Sequence, residues 1–354
     1  MKSRPGIATS DETPIEPGGA PTVGETDRVE KSRGGVELAG VLGIDIGGNH
    51  FRLAVFDQQG RRLLLSEGKT DSSGGRDWML REIRERALSL IEKAGCRVKA
   101  CGVSFGGPVD YERQQVSSMH VRGWRGFDLA RWVKENLNLG CHVDNDANAG
   151  ALGEFRYGAG RGAHSMVYVT ISTGIGGGVV VGDKLLHGRD SLAGEIGHIP
   201  MADTGPACSC GGQGCLETLC SGTAMALRGR GLAKRKPEVL ARTIELSSGN
   251  PDNITAETIF RAAAEGEKAA VFIVQEATHW LARGLLMVIR VLDPDRIVLG
   301  GGVALAGEQL LKPLHEHLEL LGTPTLNYST EIALAELGNY SPLHGAAALG
   351  LELL

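Results

Sequence analysis

His198 is followed by Cys208, Cys210 and Cys215 in a segment rich in glycine. Three thiolates and one imidazole satisfy the tetrahedral coordination of Zn²⁺ completely and leave no open position. This spacing therefore predicts a structural zinc site rather than a catalytic one. The alternative is that the four residues are unrelated, which the clustering of three of the seven cysteines disfavours.

The remaining cysteines are predicted to be small core residues, because each lies in an apolar segment. An odd number of cysteines in a long chain is not typical of a disulfide scaffold. The composition therefore indicates a reducing compartment, and we expect the protein in the cytoplasm. These cysteines are Cys96, Cys101, Cys141 and Cys220.

Asp146 lies in the segment VDNDANAGALGE, where a predicted strand ends and a helix begins. A carboxylate at this point can cap the helix without any role in chemistry. A carboxylate at a strand end that faces a cleft can instead accept a proton from a substrate hydroxyl. The neighbouring Asn145 offers a donor and an acceptor at the same place, which favours the catalytic interpretation.

Three glycine-rich turns follow apolar strands and are candidates for binding phosphate. Backbone N–H groups in such turns form anion-binding nests, and a turn that opens a helix adds a favourable helix terminus. An ordinary hairpin turn is the alternative for each, and none fits a dinucleotide-binding fingerprint. The turns are 45–49, 173–178 and 300–302.

Two glutamates flank the predicted zinc segment, Glu195 shortly before His198 and Glu217 shortly after the last cysteine. A metal-bound imidazole keeps its second nitrogen for another partner. A metal that fixes this loop would therefore also fix both carboxylates beside a polar substrate. The alternative for Glu217 is a capping role in a helix predicted over 216–227.

The composition predicts a globular α/β protein of two domains. The chain has 354 residues, of which 42% are hydrophobic and 52 are glycine, and its net charge is −5. Disordered, collagen-like and coiled-coil proteins are excluded by these values. The sequence contains no apolar run long enough to span a membrane and no large basic block, so we expect neither a membrane nor nucleic acid as a partner.

The pattern of apolar residues predicts two units that begin alike. Residues 1–39 hold four of the 13 prolines and no aromatic residue, which is typical of a disordered tail. An antiparallel meander follows, and then strands and helices in the order of a mixed α/β domain. A second strand–glycine turn–strand unit starts at 165. The segment 268–292 is apolar nearly all round and is predicted to be a buried central helix.

Taken together, these motifs resemble the ROK family of sugar kinases and sugar-responsive repressors. The similar segments run from about residue 42 to residue 350, and the zinc segment together with DNDAN is specific to that family. They are GIDIGGN, GVSFGGPV, VDNDANAGALGE, STGIGGG, LAGEIGH, CSCGGQGCLE, IVLGGG and HGAAALG.

The resemblance implies a two-lobed actin-like ATPase fold (ribonuclease H-like) with a cleft between the lobes. The implied N-terminal lobe comprises 40–146 and about 338–354, and the implied C-terminal lobe comprises 147–337 with a zinc knuckle at 198–215. The implied reaction is phosphoryl transfer from ATP, with Mg²⁺, to a hexose hydroxyl, the 6-OH in a glucokinase. Members of the family are often dimeric or tetrameric, so we expect a homo-oligomer, with the dimer favoured.

The resemblance also assigns roles to particular residues. Asp146 corresponds to the catalytic base, and Asp45 would face Mg²⁺ and the phosphates. The implied sugar-binding residues are Gly107, His120, Asn145, Asp146, Glu195, His198 and Glu217. The implied nucleotide-binding residues are Asp45, Gly47, Gly48, Asn49, Thr173, Gly174 and Gly301.

Two positions depart from the usual pattern of the family's sugar kinases. Asn49 stands where the first phosphate turn usually has threonine, and His120 stands where an asparagine is common. His120 is therefore the position expected to influence the choice of sugar, and an N-acetylhexosamine kinase or a fructokinase remains an alternative. A non-catalytic sugar sensor or transcriptional regulator is a further alternative. The proline-containing segment 1–39 does not resemble the winged helix-turn-helix of the family's repressors.

Overall fold

The computed structural model describes residues 39–118, 121–323 and 328–354. The predicted tail, apart from Ala39, and His120 lie outside these described residues. None of the helices within the described ranges combines the length and the apolar character that crossing a lipid bilayer requires.

The first half of the described chain contains eight strands and three helices. Its β1 consists entirely of buried residues, because a run that is apolar apart from Asp45 suits the centre of a sheet. The elements are β1 (Ala39–Ile46), β2 (His50–Asp57), β3 (Arg62–Lys69), α1 (Gly75–Lys93), β4 (Arg97–Phe105), β5 (Val109–Asp110), β6 (Gln115–Val116), β7 (Phe127–Asp128), α2 (Leu129–Leu137), β8 (Gly140–Asn145) and α3 (Asp146–Tyr157).

The second half adds five strands, seven α-helices and short 3₁₀ turns. The strands and α-helices are β9 (Ser165–Ile171), β10 (Ile175–Val181), β11 (Lys184–Leu185), α4 (Leu216–Cys220), α5 (Gly222–Arg235), α6 (Ala241–Leu246), α7 (Ala256–Ala264), α8 (Lys268–Leu292), β12 (Arg296–Gly300), α9 (Glu308–Leu321), β13 (Glu331–Leu334) and α10 (Ser341–Leu351). The 3₁₀ turns are Ile196–His198, Pro237–Leu240, Pro251–Asn253, Ala304–Ala306 and Gly338–Tyr340.

Two five-stranded sheets share one topology. The first has the order β3-β2-β1-β4-β8 and the second the order β11-β10-β9-β12-β13. In each sheet the central strand pairs antiparallel with the next strand along the chain and parallel with the one that follows a crossover. The repetition predicted from the sequence is confirmed, and the carboxyl ends of the parallel strands carry the candidate site.

Helices α3 and α10 pack against each other, with α10 also on the first sheet and α3 also on the second. Small residues allow this close approach. A Cβ atom at Gly345 would lie 1.7 Å from the carbonyl oxygen of Ala149, and one at Gly153 would lie 2.3 Å from the carbonyl oxygen of Ser341. The division into lobes at 146 and 338 stays a prediction.

Three predicted elements differ from the structure. The turn predicted over 173–178 is shorter, because 175–178 pair with β9 as part of β10. The helix predicted over 216–227 is interrupted at Ser221, whose hydroxyl caps α5 by accepting the amide of Ala224. The helix α8 has the predicted bounds but is not buried all round, since Phe272 is 59% exposed and Val291 is 80% exposed.

Candidate active site

Asn145, and not Asp146, supplies the N-cap of α3. The backbone of Asn145 is extended, and its side-chain oxygen accepts the amide of Ala147 at 2.8 Å. The side-chain nitrogen of Asn145 donates to the carbonyl oxygen of Gly107 at 3.1 Å. Asp146 is the first residue of the helix, so the capping interpretation applies to its neighbour and does not account for this carboxylate.

The environment of Asp146 suits a general base. Burial, together with the negative charge of Asp45, raises the pKa of Asp146 to about 6, although nearby backbone N–H groups and Asn145 lower it. The carboxylate faces Gly106, where a Cβ atom would lie 3.7 Å from its Oδ2. A group with this pKa is ionised at neutral pH and is more basic than an ordinary aspartate.

Five polar residues lie in register across the first sheet, one in each strand. Their side chains share one face of the sheet, because paired residues on neighbouring strands point to the same side. Asp45, in the centre, accepts from the Ser104 hydroxyl at 2.9 Å and from Arg52 Nη1 at 3.2 Å. The row is Glu67, Arg52, Asp45, Ser104 and Asp144.

Asp45 is 5% exposed, and this burial raises its pKa although Ser104 and Arg52 oppose the effect. Carboxylate oxygens are the ligands that Mg²⁺ takes in proteins, so Asp45 is a candidate ligand for this ion. The sequence identified Asp45 but not Arg52. The signal was present in the alternation of β2, where an arginine stands among buried apolar residues.

The predicted phosphate turns leave backbone accessible at particular glycines. Gly48 is exposed, and a Cβ atom built on it would meet no other atom within 4 Å. Asn49 and Thr173 are exposed in the adjacent turns. Gly301 has a φ of +82°, and a Cβ atom there would lie 2.5 Å from the carbonyl oxygen of Ile171. Only glycine fits this last position without strain.

Gly47 uses its backbone N–H and carbonyl groups in hydrogen bonds that shape the first turn. Its N–H donates to the carbonyl oxygen of His50 at 2.9 Å, and its carbonyl oxygen accepts from the Thr70 hydroxyl at 2.8 Å. Gly47 therefore shapes the turn, and Gly48 is the residue whose backbone faces open space.

Glu217 turns away from its own helix. Its Oε2 accepts the backbone N–H of Ile175, at the start of β10, at 2.9 Å. A Cβ atom at Gly174 would lie 2.2 Å from the same oxygen, so the absence of a side chain there makes room for the glutamate. Glu217 thus links helix α4, which follows the cysteine–histidine cluster, to the predicted phosphate turn at 173–174, and it does not serve as a simple helix cap.

The four predicted zinc-ligating residues come together. One ligand atom from each of His198, Cys208, Cys210 and Cys215 lies within 4.8 Å of the others. Nδ1 of His198 is 3.3 Å from Sγ of Cys208, and Nε2 of the same ring is 3.7 Å from Oε2 of Glu195. The donor set and its spacing fit tetrahedral Zn²⁺. The histidine ring therefore directs one nitrogen to the cysteines and the other to a candidate substrate-binding carboxylate.

A polar cleft of about 570 Å³ opens beside Asn145 and Glu195. These are the two predicted sugar-binding residues that line it. Its walls come from the loop after β11 and from the segment that contains β5 and β6, together with the start of α3. The other lining residues are Pro108, Val109, Asp110, Glu112, Arg113, Gln115, Ser117, Gly126, Asn148, Gly177, Arg189, Asp190, Ser191, Leu192 and Ala193.

Asn148 is a cleft residue that the sequence analysis missed. It is 7% exposed, and its Nδ2 donates to Oδ1 of Asp144 at 2.9 Å. Within the described part of the chain its Oδ1 has no hydrogen-bond partner. The signal was its spacing, since a residue four positions after Asp144 at a strand-to-helix junction faces back towards it.

Comparisons with known proteins agree with the motifs. The family model described as "ROK family" matches residues 41–352. The chain is 34% identical to a glucokinase of Halalkalibacterium halodurans over 313 residues, which is 87% of this chain and 94% of that protein.

Two solved structures are similar over nearly their whole length. One is a ROK family glucokinase from Streptomyces griseus in complex with glucose and AMPPNP, with a TM-score of 0.78 and 34% identity, covering 88% of this chain and 99% of that one. The other is a ROK hexokinase from Thermus thermophilus, with a TM-score of 0.73 and 32% identity, covering 89% and 99%. These likenesses confirm the predicted two-lobed fold.

Proposed function

Because this chain belongs to the ROK family, we propose that it is an ATP-dependent sugar kinase with glucose as its favoured acceptor. The observation that carries the proposal is Asp146, a carboxylate that directly follows the cleft-lining Asn145, faces Gly106 and has a pKa raised to about 6. The glucokinase from Streptomyces griseus, which binds glucose and an ATP analogue, supports the choice of sugar and of phosphate donor.

Asp146 acts on the hydroxyl that attacks the phosphate. A sugar hydroxyl is a weak nucleophile, so it needs orientation and a base that takes its proton as the new bond forms. The hydroxyl oxygen, the 6-OH in a hexose, bonds to the γ-phosphorus of ATP. The bond from this phosphorus to the bridging oxygen breaks, ADP leaves, and the proton passes to Asp146.

The remaining polar groups orient the sugar. Glu195 and Glu217 offer carboxylate oxygens that accept from hydroxyl groups, and Asn145 adds an amide beside the base. The second nitrogen of His198 and the backbone of Gly107 complete the set. A polyol recognised by several such acceptors is held with its reacting hydroxyl close to Asp146.

ATP fits the turns that leave backbone N–H groups accessible. We propose that Gly48, Asn49, Thr173, Gly174 and Gly301 line the phosphates, with Gly47 shaping the first turn. Asp45 would hold Mg²⁺, which neutralises charge on the phosphates when bound. The substitution of Asn49 for the usual threonine keeps a donor at the turn, on a longer side chain.

The cysteine–histidine cluster is proposed to bind one structural Zn²⁺. Its role is to fix the loop that carries His198 and to place Glu195 and Glu217 on either side of the sugar. None of the described cysteines forms a disulfide, and we propose a cytoplasmic location. We further propose that the protein is a homodimer, that its partner is a small-molecule sugar, and that it binds neither nucleic acid nor membrane.

An N-acetylhexosamine kinase, a fructokinase and a non-catalytic regulator are the alternatives. One experiment separates them, a coupled assay of ADP release from Mg-ATP with glucose, mannose, fructose, N-acetylglucosamine and N-acetylmannosamine. We expect the highest kcat/KM with glucose and no turnover by the Asp146→Asn variant. Sugar binding without ADP release by the folded, zinc-loaded protein would refute the kinase and support a sensor.

A further inference from the structure

A buried carboxylate next to the proposed catalytic residues divides its two oxygens between the two halves of the molecule. Asp144 is 1% exposed at the end of β8. Its Oδ1 accepts the backbone N–H of Asn145 at 2.7 Å and the side chain of Asn148 at 2.9 Å. Its Oδ2 accepts from Nε2 of His187 at 2.6 Å.

His187 follows β11 of the second sheet, whereas Asp144 belongs to the first sheet. The imidazole of His187 is contacted by Asp144 at its edge and by Tyr111 on its face. Its ring stacks on Tyr111 with the ring centroids 3.7 Å apart and the planes inclined by 14°. The side chain of His187 is 18% exposed. The ring is therefore fixed in position and direction by two residues of the first half.

The loop that begins at His187 forms one wall of the cleft and leads to Glu195. The carbonyl oxygen of His187 accepts the amide of Ala193 at 3.0 Å, which closes the loop on itself. The hydroxyl of Ser191 accepts the backbone N–H of Tyr111 at 3.3 Å. The loop thus contacts the first half at His187 and at Ser191, and both contacts meet at Tyr111.

We propose that His187 is a positioning residue for the sugar site, acting through Asp144. One hydrogen bond joins the loop that carries Glu195 to the strand end that carries Asn145 and Asp146. This hydrogen bond sets the separation of the loop and the strand end before a sugar enters the cleft. The loop is therefore ordered when the protein folds, and sugar binding does not have to supply the free energy of ordering it. This inference rests on the proposed sugar kinase activity.

A purely structural role would have a different signature. If the pair only stabilised the fold, its loss would lower stability and affect the sugar and nucleotide sites alike. If the pair positions the loop, its loss raises KM for the sugar while KM for ATP is unchanged, because the phosphate turns lie on other segments.

The test compares His187→Leu, which removes the hydrogen bond, with His187→Gln, which can still donate to Asp144. The matched control is Tyr111→Phe, which keeps the stacked ring. Sugar affinity is measured by calorimetry with glucose alone, and KM is measured for glucose and for ATP. Hydrogen exchange of the amides in 186–195 reports on the loop without any need for activity.

We expect His187→Leu to raise both the dissociation constant and KM for glucose by about tenfold or more, since small misplacements of binding groups cost this much. His187→Gln should restore part of the loss, and Tyr111→Phe should match the wild type. Exchange in 186–195 should be faster in His187→Leu. Circular dichroism and zinc content verify that each variant is folded.

The proposal is overturned if glucose affinity and KM stay within about twofold of the wild type, or if KM for ATP rises in parallel. Faster exchange with unchanged sugar affinity also overturns it, since the loop would then be mobile without consequence for binding. Failure of the proposed function is distinct, because wild-type protein would then bind or turn over no glucose, whereas loop exchange would still respond to His187→Leu.

Discussion

Replacement of Asp146 by asparagine is expected to lower kcat severely and yet to stabilise the folded protein. The asparagine keeps an oxygen that accepts nearby backbone N–H groups but cannot take the proton of the sugar hydroxyl. Loss of a general base lowers kcat by about 10²–10⁴-fold. The gain in stability arises because the folded protein holds the negative charge of Asp146 in a partly buried position near Asp45, which is unfavourable, and asparagine carries no charge.

The size of this gain in stability follows from the pKa of Asp146. Asp146 is raised from 3.8 to about 6 in the folded protein, which corresponds to about 3 kcal/mol at about 1.36 kcal/mol per unit. Because Asp146 is partly exposed, solvent screens part of this effect. We expect the free energy of unfolding of the asparagine variant to exceed that of the wild type by about 2 kcal/mol at pH 7.

The direction of the pKa shift determines how the stability difference between the two proteins varies with pH. The folded state binds the proton more tightly than the unfolded chain, so the free energy of unfolding of the wild type falls as pH rises from about 4 to about 6. The asparagine variant lacks this titration. The two proteins should therefore be equally stable below about pH 4 and should differ fully above about pH 6.

The assay is urea unfolding of both proteins between pH 4 and 8, followed by fluorescence, together with kcat against pH for the wild type. Loss of the proposed zinc at low pH would affect both proteins alike, so the difference between them isolates Asp146. A variant that is less stable than the wild type at pH 7 would refute the reasoning. So would a kcat that shows no group titrating near pH 6.

Three further predictions concern the zinc cluster, the sugar and the helix contact. Cys210→Ser should lose bound zinc and should raise KM for glucose, because the metal would no longer hold His198 and the neighbouring Glu195 in place. Metal analysis and kinetics check this prediction. A variant without zinc but with unchanged KM for glucose would contradict it. Glu217→Gln should raise KM for the sugar by about tenfold, since a charged acceptor becomes neutral, and should raise KM for ATP less, because the same carboxylate accepts the Ile175 amide beside the turn at 173–174. A larger effect on KM for ATP than on KM for the sugar would count against a sugar contact. Gly345→Ala should lower the free energy of unfolding by about 1–3 kcal/mol, because the added methyl group meets the carbonyl oxygen of Ala149. Thermal unfolding measures this, and an unchanged melting temperature would show that α3 and α10 can separate freely.

The sequence by itself determined the features that depend on residue type and short spacing. The four predicted zinc ligands lie within one loop, so their chemistry and their intervals were enough to predict that they come together. The strands and helices of both halves were predictable because their apolar periodicity reflects local geometry. Asp146 was predicted as a candidate base from its place at a strand-to-helix junction, which is also a local property.

The tertiary structure decided what depends on residues far apart in the chain. Asp144 and His187 are separated by 43 positions, and no local pattern distinguishes a histidine that meets a buried carboxylate from one in solvent. The same holds for Glu217, whose partner lies in another strand, and for the pKa of Asp146, which depends on burial and on Asp45. Local propensity fixes the backbone over a few residues, whereas desolvation and hydrogen bonds across the cleft exist only once the two sheets are assembled.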